Sequence, residues 1–593
     1  MNMLKAKIRN VADIFTFGKW LKGYSFPMLA RDLQAGLTVG VMLVPQCMAY
    51  AVIAGMPPVY GLYASLIPLL VYPLFGTSRH LALGVVALDM IIIFEGVGKI
   101  AVPGTPEYIS LVILLALLAG LLQVIMSWAK LGFLVNYLSR PVIVGFTSAA
   151  AVIIVFGQAG SLLGLSLERS SYLAGTIGEL AGGIGMANTA SIIIGSGSIA
   201  LILIFKLWKP VFPVALAVIV IGTLACFLLE LPSHGVETAG YIPSGLPSIQ
   251  FPPVSMTALR QLFSTAVTLA LVQFMTVVSL GRTYAARHRY SIDSNRELFA
   301  LGVSNILNSF LRGMPASASF SRSAVNEQAD SRTPFSNIFA GFIVFITLLL
   351  LTPVFEYLPT AVLAAIVITA AVNLIDIGSL KWLLRTKRRD GLIALFTFAI
   401  TLLIGIQEGI LIGISVSLLA LLYRESHPNV AELGHLLGTR SFKDLKRFAE
   451  ADKIERIMIL RIDASFSFTN AEFFKDYILR KSLSQNEEIE AVIIDGSTIN
   501  DLDTTALEAL RLVIETLKKW NVEFHISGLK GPVRDVIKKA GLYEMIGEEK
   551  ISRSPHQAVI NILSRWEKET EDRQCLDRYH RRTECEPPGN QHR

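Results

Sequence analysis

The sequence predicts a polytopic α-helical membrane protein of about fourteen spans in a seven-plus-seven inverted repeat. Two half-helices belong to the repeat, and a small cytoplasmic α/β domain follows it. Three observations predict this class: an apolar composition, a train of span-length apolar stretches that stops near Arg424, and two interrupted stretches at matching places. Of 593 residues, 52% are hydrophobic and 17% charged, with mean hydropathy +0.54. Soluble globular chains carry about 25% charged residues. That gap excludes a cytosolic enzyme, a disordered chain and a nucleic-acid binder. The net charge of +7 (53 basic minus 46 acidic) is scattered between apolar runs, which marks cytoplasmic loops and not a polyanion partner. Cys47, Cys226, Cys575 and Cys585 lack paired spacing, so neither a disulfide framework nor a zinc site is expected.

Residues 1–26 form a basic cytoplasmic segment without the apolar core of a signal peptide. The membrane domain is expected over 27–425, the α/β domain over 426–570 and a disordered tail over 571–593. Spans are placed at 33–52, 58–75, 81–98, 109–128, 136–157, 190–207, 211–230, 259–282, 294–311, 316–329, 335–352, 356–375, 391–405 and 407–423. Loop charges test the count. With a cytoplasmic N-terminus, Arg79, Lys130 with Arg140, Lys206 with Lys209, the Arg282–Arg296 cluster, Arg332 and the Lys381–Arg389 loop all fall inside. The outer loop 231–259 has no basic residue, and an even number of crossings returns the C-terminus to the cytoplasm.

After Arg424, Ile457–Ile462, Ala491–Ile494 and Val522–Ser527 read as short buried strands. An amphipathic segment carries Leu507, Leu510, Val513, Ile514 and Leu517 on one face. Strands alternating with helices give a mostly parallel α/β domain.

No phosphate-binding loop, metalloprotease motif or nucleophile elbow is present, so no cofactor and no catalysis are expected. A polytopic chain without an energy-binding site reads as a secondary transporter or a channel. The interrupted spans are Ser78–Asp89 and Gly313–Ser323, each third in its set of seven. Non-helical backbone at membrane depth survives where it lines a cavity or is buried in protein. If each begins extended and then turns helical, two helix N-termini meet near the bilayer centre. Their dipoles and free N–H groups favour an anion, with Ser319 and Ser321 adding donors and Arg322 a full charge. The bland alternative is that small residues merely permit close packing.

The run containing Asp32, Gly36, Pro45, Gln46, Tyr50, Pro57, Pro58, Tyr60, Gly61 and Tyr63 resembles the signature of the SulP anion-transporter family (sulfate permeases). Ser139–Phe146, Phe320–Asn326, Arg332-Thr333 and Ser336-Asn337 resemble it too. The C-terminal domain resembles STAS, the cytoplasmic module of that family. The resemblance runs from Phe26 to Trp566. It implies core and gate subdomains, an elevator-like movement, usually in a homodimer, and a multi-pass protein of the plasma or inner membrane. By resemblance the substrate site comprises Gln46, Tyr50, Gly84, Val85, Val86, Ala87, Ser319, Phe320, Ser321 and Arg322. Two departures stand out. Gly84-Val85 replaces the usual Gly-Pro, and Thr276 occupies the place of an acidic residue in the eighth span.

Asp89 is therefore the coupling-ion candidate, beside Thr276. It lies in the first turns of the third half-helix, where a carboxylate is stabilised by the dipole but repels a bound anion. The alternative is a purely structural carboxylate. Glu95 is a weaker candidate. In the STAS-like domain, Asp503 and Thr504 flank a helix start; related soluble proteins carry a phosphorylated Ser at the place of Thr504, and helix capping is the simpler reading. The leading expectation is secondary active uptake of an inorganic oxyanion, sulfate first, coupled to H+ or Na+. Alternatives are a bicarbonate, chloride or dicarboxylate carrier, an anion channel or exchanger, a nucleobase carrier, or a signalling protein whose spans only anchor STAS.

Overall fold

The computed structural model describes residues 16–21, 23–133, 139–165, 173–208, 214–240, 243–483, 489–570, 579 and 583. The basic segment up to residue 15 and nearly all of the tail from 571 lie outside the described residues. The chain divides into two compact units, Met1–Ser417 and Leu418–Arg593.

The first unit is helical. Its first seven apolar elements are α1 (Phe26–Ile53), α2 (Val59–Phe75), strand β1 (Leu83–Gly84) leading into α3 (Ala87–Gly98), α4 (Pro106–Trp128), α5 (Arg140–Leu163), α6 (Thr189–Trp208) and α7 (Val214–Leu228). The next seven are α8 (Met256–Arg287), α9 (Ser294–Phe310), strand β2 (Ser317–Ala318) leading into α10 (Phe320–Gln328), α11 (Ser336–Ile346), α12 (Thr360–Val372), α13 (Arg388–Leu403) and α14 (Ile406–Ser426), whose last residues from Leu418 belong to the second unit. Among the described residues, six helices are long and apolar enough to span a bilayer alone, and further apolar helices are shorter. Both interrupted stretches adopt the strand-then-helix form their sequences imply.

Most of the contacts between the two sets are reciprocal. Helix α4 packs on α9 as α11 packs on α2; α4 on α8 as α11 on α1; α3 on α8 as α10 on α1; and α5 on α13 as α12 on α6. The pairs α2–α9, α5–α12 and β1–β2 are their own counterparts. Exchanging the sets leaves this list unchanged, which is the signature of an inverted repeat. Small residues permit the approach. A Cβ on Gly120 of α4 would meet Gly302 O at 2.8 Å, and one on Gly302 of α9 would meet Gly120 O at 2.7 Å.

The structure departs from the expected loops in two places. The basic loop around Lys381 is a short helix, Ile377–Thr386, because Asp376 Oδ1 caps it by accepting from Ser379 N (2.8 Å) and Leu383 is buried. A second short helix, Leu173–Gly183, lies between α5 and α6, where its glycines gave no periodic signal.

In the second unit, β3 (Val430–Leu436), β4 (Phe442–Asp444), β5 (Ala451–Asp452), β6 (Ile457–Ile462), β7 (Ala491–Asp495), β8 (Glu523–Ser527) and β9 (Ile551–Ser552) form one sheet. Its order is β4-β3-β6-β7-β8-β9, parallel from β6 to β9, with β3 antiparallel to β4, β5 and β6. Alternation along the strands makes both faces apolar. Met458, Leu460, Val492 and Ile494 pack against α15 (Ala471–Leu483) and α16 (Thr504–Lys519). Ile457, Ile459, Ala491 and Ile493 pack against α19 (Pro555–Thr570), which follows the short α17 (Gly531–Lys539) and α18 (Leu542–Ile546).

Candidate functional site

The two broken spans meet backbone to backbone. Leu83 pairs with Ala318 and Gly84 with Ser317 in an antiparallel ladder, and Ser319 N donates to Ala82 O at 3.0 Å. Gly84 has φ +139°, and a Cβ there would lie 3.2 Å from Arg322 Nη2 and 3.1 Å from Leu43 Cδ1, so this turn needs glycine. Unpaired backbone beside the ladder is satisfied by side chains. Ser323 Oγ accepts from Ala82 N (3.0 Å), Asn337 Nδ2 donates to Leu81 O (2.8 Å), Asn326 Nδ2 donates to His80 O (3.1 Å), and Asn308 Nδ2 donates to Met314 O (2.6 Å).

From this ladder α3 and α10 depart, their first turns beside one cavity of about 680 Å³. Gln46 and Tyr50 of α1, Val86 and Ala87 at the start of α3, Ser319, Phe320 and Ser321 at the start of α10, and Thr276 of α8 all line it. Ser319 caps α10, its Oγ facing Arg322 N, and lies 3.2 Å from Ser321 Oγ. Pro45, inside α1, removes a backbone donor next to Gln46. Thr276 spends its hydroxyl proton on Val272 O one turn back (2.9 Å).

Gly84, Val85 and Arg322 do not line the cavity. They sit directly behind its wall. Arg322 is fully buried (0% exposed); Nη2 donates to Val85 O at 2.9 Å, Nη1 faces Gln46 Oε1 at 3.4 Å, and Nε has no hydrogen-bond partner. No carboxylate among the described residues pairs with it. The site is thus a positive charge without a counter-charge, placed behind two converging helix N-termini.

Asp89 is also absent from the cavity wall. It is buried (1% exposed) and accepts a hydrogen bond from Gln273 Nε2 of α8 at 2.9 Å. Glu95 lies far along α3, in an ion cluster with Lys99 (3.7 Å), which in turn bonds Glu408 (2.7 Å). In the second unit Asp503 caps α16 by accepting from Ala506 N (2.9 Å), with Thr504 the first helical residue. Sequence reasoning missed Gln123, Gln273 and Asn305, three buried amides inside apolar spans; their polarity was the available signal.

Comparison with known proteins follows the same lines. The sulfate permease family model matches residues 29–397, and the STAS domain model matches 448–558. The chain belongs to the sulfate permease family. It is a membrane transporter carrying a STAS domain, not an enzyme. Similar curated proteins include the Arabidopsis thaliana protein named sulfate transporter 4.1, chloroplastic, at 36% identity over 93% of this chain and 82% of that protein. A probable sulfate transporter of Mycobacterium tuberculosis is 32% identical over 90% of this chain and 94% of its own. Among solved structures, the murine solute carrier 26 member A9 anion transporter in the inward-facing state shares the fold, with TM-score 0.87 at 24% identity over 94% and 95% of the two chains.

Proposed function

We propose that the anion this sulfate permease family member carries is sulfate, moved by secondary active transport coupled to a proton or a sodium ion. Arg322 carries the reading. A buried charge without a partner is costly, and two helix N-termini add to the same positive field. A dianion in the adjoining cavity supplies the missing negative charge. Gln46, Tyr50, Ser319 and Ser321 offer polar groups to its oxygens at the wall. The names of the relatives point to the same substrate.

Orientation follows from the loop charges, with both termini in the cytoplasm of a plasma or inner membrane and two copies forming a dimer. In that orientation the cavity opens to the cytoplasm. Thr147 lies near the start of α5, Val214 and Ala215 at the start of α7, and Val372 at the end of α12, all on the cytoplasmic side. Asp503 serves as a helix cap, and the STAS domain acts in regulation, folding or dimer support.

The test is purified protein in liposomes, offered labelled sulfate, bicarbonate, chloride and a dicarboxylate under imposed proton and sodium gradients. Sulfate is expected to accumulate above equilibrium when a cation gradient is imposed, with the other anions poor competitors. Chloride flux that passively follows its electrochemical gradient would replace the transporter reading with a channel. Accumulation of bicarbonate in preference to sulfate would replace the substrate.

A further inference from the structure

The polar network around Asp89 has a direction that follows from one atom. Ala316 N, a backbone donor with no acceptor capacity, bonds Asn305 Oδ1 at 2.8 Å. That fixes the Asn305 oxygen toward the approach to β2 and turns Nδ2 toward Gln123 Oε1 (3.1 Å) and Gln273 Oε1 (3.0 Å). Gln123 Nε2 donates to Gln273 Oε1 as well (2.8 Å). Both lone pairs of Gln273 Oε1 are then occupied, and the group left to face Asp89 is Nε2–H, which donates to Oδ2. Every amide oxygen of the cluster is already accepting.

Elements α1, α4, α5 and α8 pack on α3. Their buried titratable side chains are Asp32, Cys47 and Tyr50 on α1, Tyr108 on α4 and Tyr284 on α8, and none pairs with Asp89. Asp32 is engaged with Thr333 (2.6 Å), and Tyr108 faces Ala54 O. The charged groups Arg31, Glu107, Arg140, Arg260, Arg282 and Arg287 stand within two turns of helix ends. On its own element, Glu95 belongs to the cluster with Lys99.

We infer that Asp89 is a proton-binding site closed to sodium, and that Gln273, oriented by Gln123 and Asn305, sets this selectivity. The inference deepens the coupling reading above and rests on it. Hard cations are held by several oxygens, and transporter sodium sites draw on unwound carbonyls and helix C-termini. Asp89 has an N–H before it and lies at a helix N-terminus. A proton needs no such shell. It adds to Oδ1, because Oδ2 receives the Gln273 donor, and converts the carboxylate to a neutral acid. Neutralisation removes the negative charge that competes with substrate for the first turn of α3, whose Val86 and Ala87 line the cavity. One proton then favours one bound anion.

Sulfate uptake into liposomes is expected to rise several-fold under an inward proton gradient and to be unchanged when choline replaces sodium. The proton stimulation disappears in Asp89→Asn. Gln273→Met, which deletes the donor to the carboxylate, moves half-maximal uptake to higher pH. Sodium stimulation of the native protein, or full proton stimulation in Asp89→Asn, overturns the inference. Infrared difference spectra read the site without transport: an acid-induced protonated-carboxyl band that is insensitive to sodium and lost in Asp89→Asn is expected, and its absence from the native protein overturns the proton site. If that band is found in protein that moves no sulfate, the sulfate reading fails alone.

Discussion

Ser319 serves the site in two ways: its hydroxyl caps α10 and it stands on the cavity wall. Ser319→Ala removes a cap worth about 1 kcal/mol and one donor to a bound oxygen. A several-fold rise in sulfate KM is expected, with the melting temperature lowered by only a few degrees, checked by uptake kinetics and thermal unfolding in detergent. Gln46 is held by a neighbour that can only donate, so its oxygen faces Arg322 Nη1 and its amide N–H group is turned away from that charge. Ser319 and Ser321 stood out in the sequence as polar groups in an interrupted apolar span, whereas Gln46 and Tyr50 were singled out only by the family resemblance. The position of Arg322 was not legible. Its type promised a charge at the anion, yet which side of the wall the guanidinium occupies depends on Val85 O, 237 residues away in the chain.

At the scale of elements, each half-helix exists because its preceding strand has a partner. Asn337→Ala removes the donor to Leu81 O and leaves buried backbone unsatisfied, a loss of about 1–3 kcal/mol. The expected result is a lower melting temperature and lower yield of folded protein, with sulfate KM unchanged in what folds. Gly84→Ala is expected to fail more severely, since it combines a positive φ with a clash against Arg322; circular dichroism and size-exclusion profiles check both. The breaks in the third and tenth spans were visible as runs of small and polar residues. The amide cluster was not, because Asp89 and Gln273 lie 184 residues apart and Gln123 and Gln273 lie 150 apart. Only the packing of α3, α4 and α9 on α8 and on one another brings them together. In the α/β unit, β6, β7 and β8 were legible from their apolar runs, whereas β4, β5 and β9 are too short to carry a pattern.

For the molecule as a whole, the two units are expected to respond differently to pH. In the second, His525 is held below its ordinary value of 6.5 by burial, opposed by Glu523. Glu523 is partly buried, which pushes its carboxyl up, but its bonds to His525 and Arg565 win and hold it below the ordinary 4.5. Both groups bind fewer protons folded than unfolded, so their contribution is present above those ordinary values and lost as pH falls through them. The unfolding transition of this unit is expected to shift down as pH falls below 6.5, and further below 4.5, and in Glu523→Gln the acid part of that shift shrinks, as calorimetry would record. The first unit, by contrast, rests on the reciprocal packing of its two halves, with the cavity beside the first turns of α3 and α10 as its proposed anion pocket. The direct test of that pocket is equilibrium binding of labelled sulfate to the purified protein and to Arg322→Gln at one pH. Loss of the uncompensated charge behind the cavity wall predicts a Kd about ten- to a hundredfold weaker, about 1.4–2.8 kcal/mol, with the variant still folded. Equal affinity in the two proteins would contradict the account.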